Sequence, residues 1–185
     1  MGESTVQELQ LPHPAVLGLA LDLPQWVARL FGDIGGDWAA ATAEIALRSI
    51  EAPGVVLLSA SVRDAAGSGV EQLTRRTRSA YELIGEQVRA RQGFSPVRVW
   101  NFIPGILEPL GTLEHRYMAF NAGRFQAYQG WFEGRDSFAR TVPTASGVGH
   151  DGRDLVIHCL AAAEAGQPVE NPRQVPSYCY SQRWG

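Results

Sequence analysis

Residues 68–103, SGVEQLTRRTRSAYELIGEQVRARQGFSPVRVWNFI, decide the fold. Val70, Leu73, Thr77, Tyr81, Ile84 and Val88 recur at helical spacing and give one apolar face. Ser68 stands where an N-cap is needed, and Glu71 falls in the first turn, where the helix dipole favours an acid. Arg75, Arg76, Arg78, Arg89 and Arg91 fall mostly on other faces, as solvated arginines do. Gly93 and Pro96 stop the helix. Residues 97–103 then alternate, which is the period of a strand, and Pro104-Gly105 closes it.

Working outward, residues 55–62 are a short apolar run behind a Pro53-Gly54 turn, and read as a strand. Residues 42–50 are ambiguous and 31–40 read as loop. Residues 15–23 read as a buried strand, and 1–14 as a loose arm. Downstream, 113–133 form a second helix, followed by a loop rich in Gly, Arg and Pro. Residues 144–148 and 155–161 are β-type runs joined by Asp151-Gly152, a hairpin signal. The tail from 171 to 185 reads as extended. Strands alternating with two long helices predict an α+β domain over 15–185, with both helices packed on one face of a mixed sheet.

Composition narrows the chemistry. The chain has 185 residues, 45% hydrophobic and 19% charged, enough for one globular domain with its own core. A net charge of −3 argues against a nucleic-acid or membrane-surface partner. No apolar run approaches a membrane span, and the first ten residues are not those of a signal peptide. Two cysteines, Cys159 and Cys179, make no disulfide framework, so a reduced, cytoplasmic protein is expected. All 16 basic residues are arginine. Without lysine, Schiff-base chemistry and a P-loop are excluded, and arginine is the only cationic anchor for a carboxylate.

The 113–133 helix carries the most chemistry. Met118, Ala122, Phe125 and Phe132 form an apolar stripe suited to packing. Tyr117, Asn121, Arg124, Tyr128 and Trp131, at i, i+4, i+7, i+11 and i+14, share a second face. An arginine among phenols and an amide suits a planar anionic ligand. A surface ion pair on a mixed face is the other reading. Gly147 to Gly152 fits G-x-G-x-x-G, but a strand rather than a helix follows, which rejects a dinucleotide site. His150 and His158 could face each other across the hairpin, or be a turn residue and a core residue. With His13 and His115 scattered, no metal-ligand spacing exists. Ser59 and Ser61 lack a nucleophile elbow. Cys159 reads as a packed thiol. Glu108, Glu114, Glu164 and Glu170 are possible general acids that nothing in the sequence pairs.

Three segments go further: Asn101 to Ile106 (NFIPGI), Arg116 to Arg124 (RYMAFNAGR), and Gly147 to Pro176, with GVGHDG, VIHCLA and VENPRQVP. Together they resemble the bacterial chorismatases, including hydroxybenzoate synthases and chorismate hydrolases, over most of 15–185. The resemblance implies a YjgF/Rid-like (chorismate mutase-like) fold and no metal or organic cofactor. It implies a lyase or hydrolase that splits the enolpyruvyl ether of chorismate. The products would be pyruvate with 3-hydroxybenzoate, 4-hydroxybenzoate or a dihydroxycyclohexadiene carboxylate. By resemblance, Tyr117, Arg124 and Tyr180 are substrate-binding residues. Tyr128 is a further candidate, as is Arg173, although its flanking prolines equally suit a structural bend. Family members continue into a second YjgF-like domain, where the general-acid glutamate is expected, beyond residue 185. The chain is therefore expected to be an N-terminal half. It would act as a homo-oligomer, act with a separately encoded C-terminal domain, or serve as a non-catalytic module for cyclic or aromatic carboxylates.

Overall fold

A computed structural model describes residues 23–32, 37–132, 142–164 and 173. The expected 1–14 arm lies outside them, as does all but the last residue of the strand expected over 15–23. The elements are α1 (Gln25–Phe31), β1 (Ala39–Ala40), β2 (Ile45–Ala52), β3 (Val55–Val62), α2 (Val70–Arg89), β4 (Ser95–Pro104), α3 (Arg116–Trp131), β5 (Thr144–His150) and β6 (Leu155–Ala162). They build one six-stranded sheet in the order β1-β2-β3-β6-β4-β5. Every pairing is antiparallel except β4 with β5, which is parallel.

β3 and β6 sit side by side at the centre and are buried along nearly their whole length, which is why both read as continuous apolar runs. Between β2 and β3 the chain reverses at Pro53-Gly54, where Gly54 takes φ 75°, a conformation costly for a residue with a Cβ. Alternate residues of β3 divide between two apolar layers. Val56, Leu58, Ala60 and Val62 join α2 and α3 in the larger core, whereas Leu57 joins Val27 of α1 with Trp100, Phe102, Val156 and Leu160.

The expected architecture, a YjgF/Rid-like sheet with two long helices on one face, is not what forms. Among the described residues there are three α-helices, and α1 covers the opposite face of the sheet. α3 packs chiefly on α2, which in turn meets β3, β4 and β6. Two glycines allow that close helix pairing. A Cβ on Gly123 would run into the Thr74 carbonyl, and one on Gly85 into the Trp131 indole.

Other expectations are corrected too. The Asp151-Gly152 segment does not close a hairpin: β4 lies between β5 and β6, and neither turn residue has positive φ. Ser68 does not cap α2; Gly69 holds that place, and the Ser68 hydroxyl accepts from Arg76 instead. Arg76 is buried rather than solvated, its guanidinium also donating to the Arg63 and Asp64 carbonyls. Arg116 does the same from α3, donating to the carbonyls of Ala65 at 3.3 Å and Ser68 at 3.5 Å. Backbone oxygens replace water around both guanidiniums, and each also meets a carboxylate, Glu44 at 3.5 Å from Arg76 and Glu108 at 3.6 Å from Arg116.

Candidate functional site

The first turn of α3 is anchored by backbone bonds to the loop before it, Arg116 N–H to the Glu108 carbonyl and Tyr117 N–H to the Ile106 carbonyl. Tyr117 is half-buried. Its ring stacks on Phe120, centroids 6.1 Å apart and planes 14° from parallel. A Cβ at Gly147 would come 3.2 Å from Tyr117 Cε2, so the phenol rests on the glycine-rich backbone of β5. Arg124, also half-buried, sets its guanidinium 5.8 Å from the centroid of the same Phe120 ring, a cation–π distance. Phe120 thus ties Tyr117 and Arg124 into one cationic and aromatic surface.

Behind it runs a buried polar chain. Asn101 Nδ2 donates to the Ser146 carbonyl at 3.0 Å, and the Tyr81 hydroxyl donates to Asn101 Oδ1 at 2.6 Å. The Tyr81 and Tyr128 rings meet edge to face at 5.3 Å. Burial pushes both phenols well above the ordinary tyrosine range, while the Arg124 charge pulls both back. Arg124 is therefore electrostatically linked to both tyrosines. Nothing in the sequence pattern paired Tyr81 or Asn101 with this helix, because α2 and β4 deliver them across the core.

The second face expected on α3 is only partly open to solvent. Tyr117 and Arg124 are half-buried; Tyr128 is buried, and Trp131 packs against Gly85. Of the stripe expected to pack, Phe132 does meet the core, but Met118 is 41% and Phe125 45% exposed, while Ala119, Phe120, Gly123 and Ala127 are buried. Arg173 is exposed, and Tyr180 lies outside the described residues. His150 and His158 do not meet. His150 ends the edge strand β5, where Nδ1 accepts from Gly152 N–H; His158 is buried against Ser59. Cys159 is buried, and its thiol is pushed up to about 12 by burial. A cavity of about 350 Å³ lies at the far edge of the sheet, between β2 and α2, lined by Asp37, Leu47, Arg48, Ser49, Leu58, Ile84 and Gln87 among others. It contains none of the binding residues expected from the sequence.

The family described as "Chorismatase FkbO/Hyg5-like, N-terminal" matches residues 39–161. The chain belongs to that family. A 3-hydroxybenzoate synthase from Streptomyces hygroscopicus is 34% identical over 113 residues, 60% of this chain and 32% of the relative. A chorismatase crystal structure at 1.08 Å resolution matches with a TM-score of 0.51 and 23% identity, over 71% of this chain and 36% of that one. The second likeness shows the fold. It is a chorismatase fold, and the YjgF/Rid label expected from the sequence has no support. The chain spans about a third of the length of these two relatives, 32% and 36%. The family-matched stretch holds Tyr117, Arg124 and Tyr128, with Arg173 and Tyr180 beyond it. Among the described residues no helix is long and apolar enough to cross a membrane.

Proposed function

We propose that this chain supplies a carboxylate-holding surface for cleavage of chorismate to pyruvate and a hydroxybenzoate or dihydroxycyclohexadiene carboxylate. One observation carries the reading: Tyr117 and Arg124 both gather on Phe120 in the family-matched region, and Tyr117 rests against Gly147 of β5. Chorismate has two carboxylates on a flat cyclohexadiene and an enolpyruvyl side arm. A guanidinium can take one carboxylate with two parallel hydrogen bonds, and the aromatic surface can cover the ring. Holding the ether in one orientation lowers the entropic part of the barrier. Cleavage then requires a proton on the enol-ether methylene, capture of the resulting cation by water or within the molecule, and departure of pyruvate. No described residue is assigned as the acid that gives this proton. The role of this chain's own residues is to bind and orient.

The test is pyruvate release from chorismate by the purified chain, followed by coupling to lactate dehydrogenase. Release above the spontaneous rate that disappears in Arg124→Ala supports the reading. Release that survives Arg124→Ala contradicts the site. Chorismate binding without release supports the carboxylate-binding role alone.

A further inference from the structure

β5 ends the sheet with one side unpaired: among the described residues its one strand neighbour is β4. The N–H and C=O of a strand residue leave on the same side, and those of the next residue leave on the other. The Ser146 carbonyl accepts from Asn101 Nδ2 of β4, and the His150 carbonyl accepts from the Gly105 N–H just past it. Residues of even number therefore point toward β4, and Ala145, Gly147 and Gly149 present their backbone groups outward. Natural sheet edges are blunted by charges, proline or bulges. β5 reads TASGVGH, with no acid, arginine or proline, and its register with β4 is unbroken.

The helix above this edge is apolar on the matching side. Gly123 of α3 meets the α2 backbone, and Tyr117 rests on Gly147 of β5. At about 100° per residue, Met118 and Phe125 lie roughly 140° and 160° round the helix from Gly123, so they point away from α2 and past β5. Both are exposed. The two ends of the strand carry opposite charges. Arg98 of β4 stands beside Thr144, where β5 begins, and Asp151 follows where it ends, about 20 Å along. Arg98 lies over the Trp100 ring and Asp151 is exposed; neither takes part in an ion pair among the described residues.

We propose that a second copy of this chain adds to β5 as an antiparallel strand, across a two-fold axis at Gly147. The outward-pointing residues then pair with one another. Gly147 faces the partner's Gly147, with no Cβ on either strand, and Ala145 faces the partner's Gly149; each such pair exchanges two hydrogen bonds. Antiparallel addition also reverses the charged ends, so Arg98 of each copy comes beside the partner's Asp151. Met118 and Phe125 of the two α3 helices cover each other above the junction. The axis makes every one of these contacts twice, as a closed dimer requires. The inference is independent of the proposed chorismate chemistry.

Sedimentation equilibrium of the full chain tests it. The expected result is a dimer that dissociates on dilution. Ala145→Pro removes an N–H that β4 does not use, and is expected to raise the dimer Kd at least about tenfold while circular dichroism keeps the parent's fold. Arg98→Asp and Asp151→Arg alone are each expected to weaken the dimer at least about tenfold, and the two together, which restore opposite charges across the axis, to recover the parent's affinity. A parent that sediments as a monomer at every concentration, or as a trimer, would overturn the proposal. So would a dimer indifferent to Ala145→Pro, or a double charge reversal no tighter than either single one.

Discussion

Acid should unfold this protein through His158, and the size of the effect follows from its burial. The imidazole is fully buried, and burial first, then the Arg48 charge, lowers its pKa from 6.5 to about 3. Between those two values the unfolded chain binds a proton that the folded one refuses. The stability contributed by the neutral ring is therefore complete above about pH 6.5 and is lost as pH falls toward 3. Each pH unit in that window costs about 1.4 kcal/mol, so the fall between about pH 7.5 and 4.5 amounts to roughly 3 kcal/mol. A domain of this size has a total stability of about 5–15 kcal/mol, so the change is large. Urea denaturation across this range, for the parent and for Ser59→Ala/His158→Phe, isolates the one group because the carboxylates are common to both. The parent's stability should drop relative to the variant by roughly that amount on acidification. Parallel curves would refute a histidine held neutral by burial.

Three further outcomes are expected. Gly123→Ala should destabilise by about 1–3 kcal/mol despite alanine's better helix propensity, because its Cβ meets the α2 backbone; a raised Tm would show that α3 has room there. Tyr81→Phe should cost about 1–3 kcal/mol, by leaving buried Asn101 Oδ1 without its donor; an unchanged denaturation midpoint would remove the hydrogen-bonded chain from the account. Cys159 should resist iodoacetamide in the folded protein, since its thiol is pushed up to about 12 and is buried; labelling at the rate of the unfolded chain would contradict its place in the core.

Features written locally in the sequence were legible. β3 was expected at its observed limits, and the apolar face of α2 packs as its spacing predicts. What failed depended on partners far along the chain. Asp151-Gly152 signals a turn, but no local pattern says that β4 will insert between β5 and β6. The α3 faces were misjudged because large residues were weighed above small ones. Gly123, Ala119 and Ala127 bring the helix against α2 and leave Met118 and Phe125 outside. Arg76 reads as a solvated charge because its buried partners include the Arg63 and Asp64 main-chain carbonyls, which a sequence does not mark. Tyr117 and Arg124 were found together because seven residues along a helix return to the same side. Tyr81, Asn101 and the Ser59–His158 contact needed the fold, the last spanning 99 residues of sequence.

The central claim is that the Tyr117–Arg124 surface holds a carboxylate of chorismate. Calorimetric titration of chorismate into the parent chain and into Arg124→Gln tests it most directly. The account predicts binding by the parent and a Kd higher by about 10- to 150-fold in the variant, the worth of one charge-assisted contact of roughly 1.5–3 kcal/mol. Equal affinity in both proteins, with the variant folded, would contradict it.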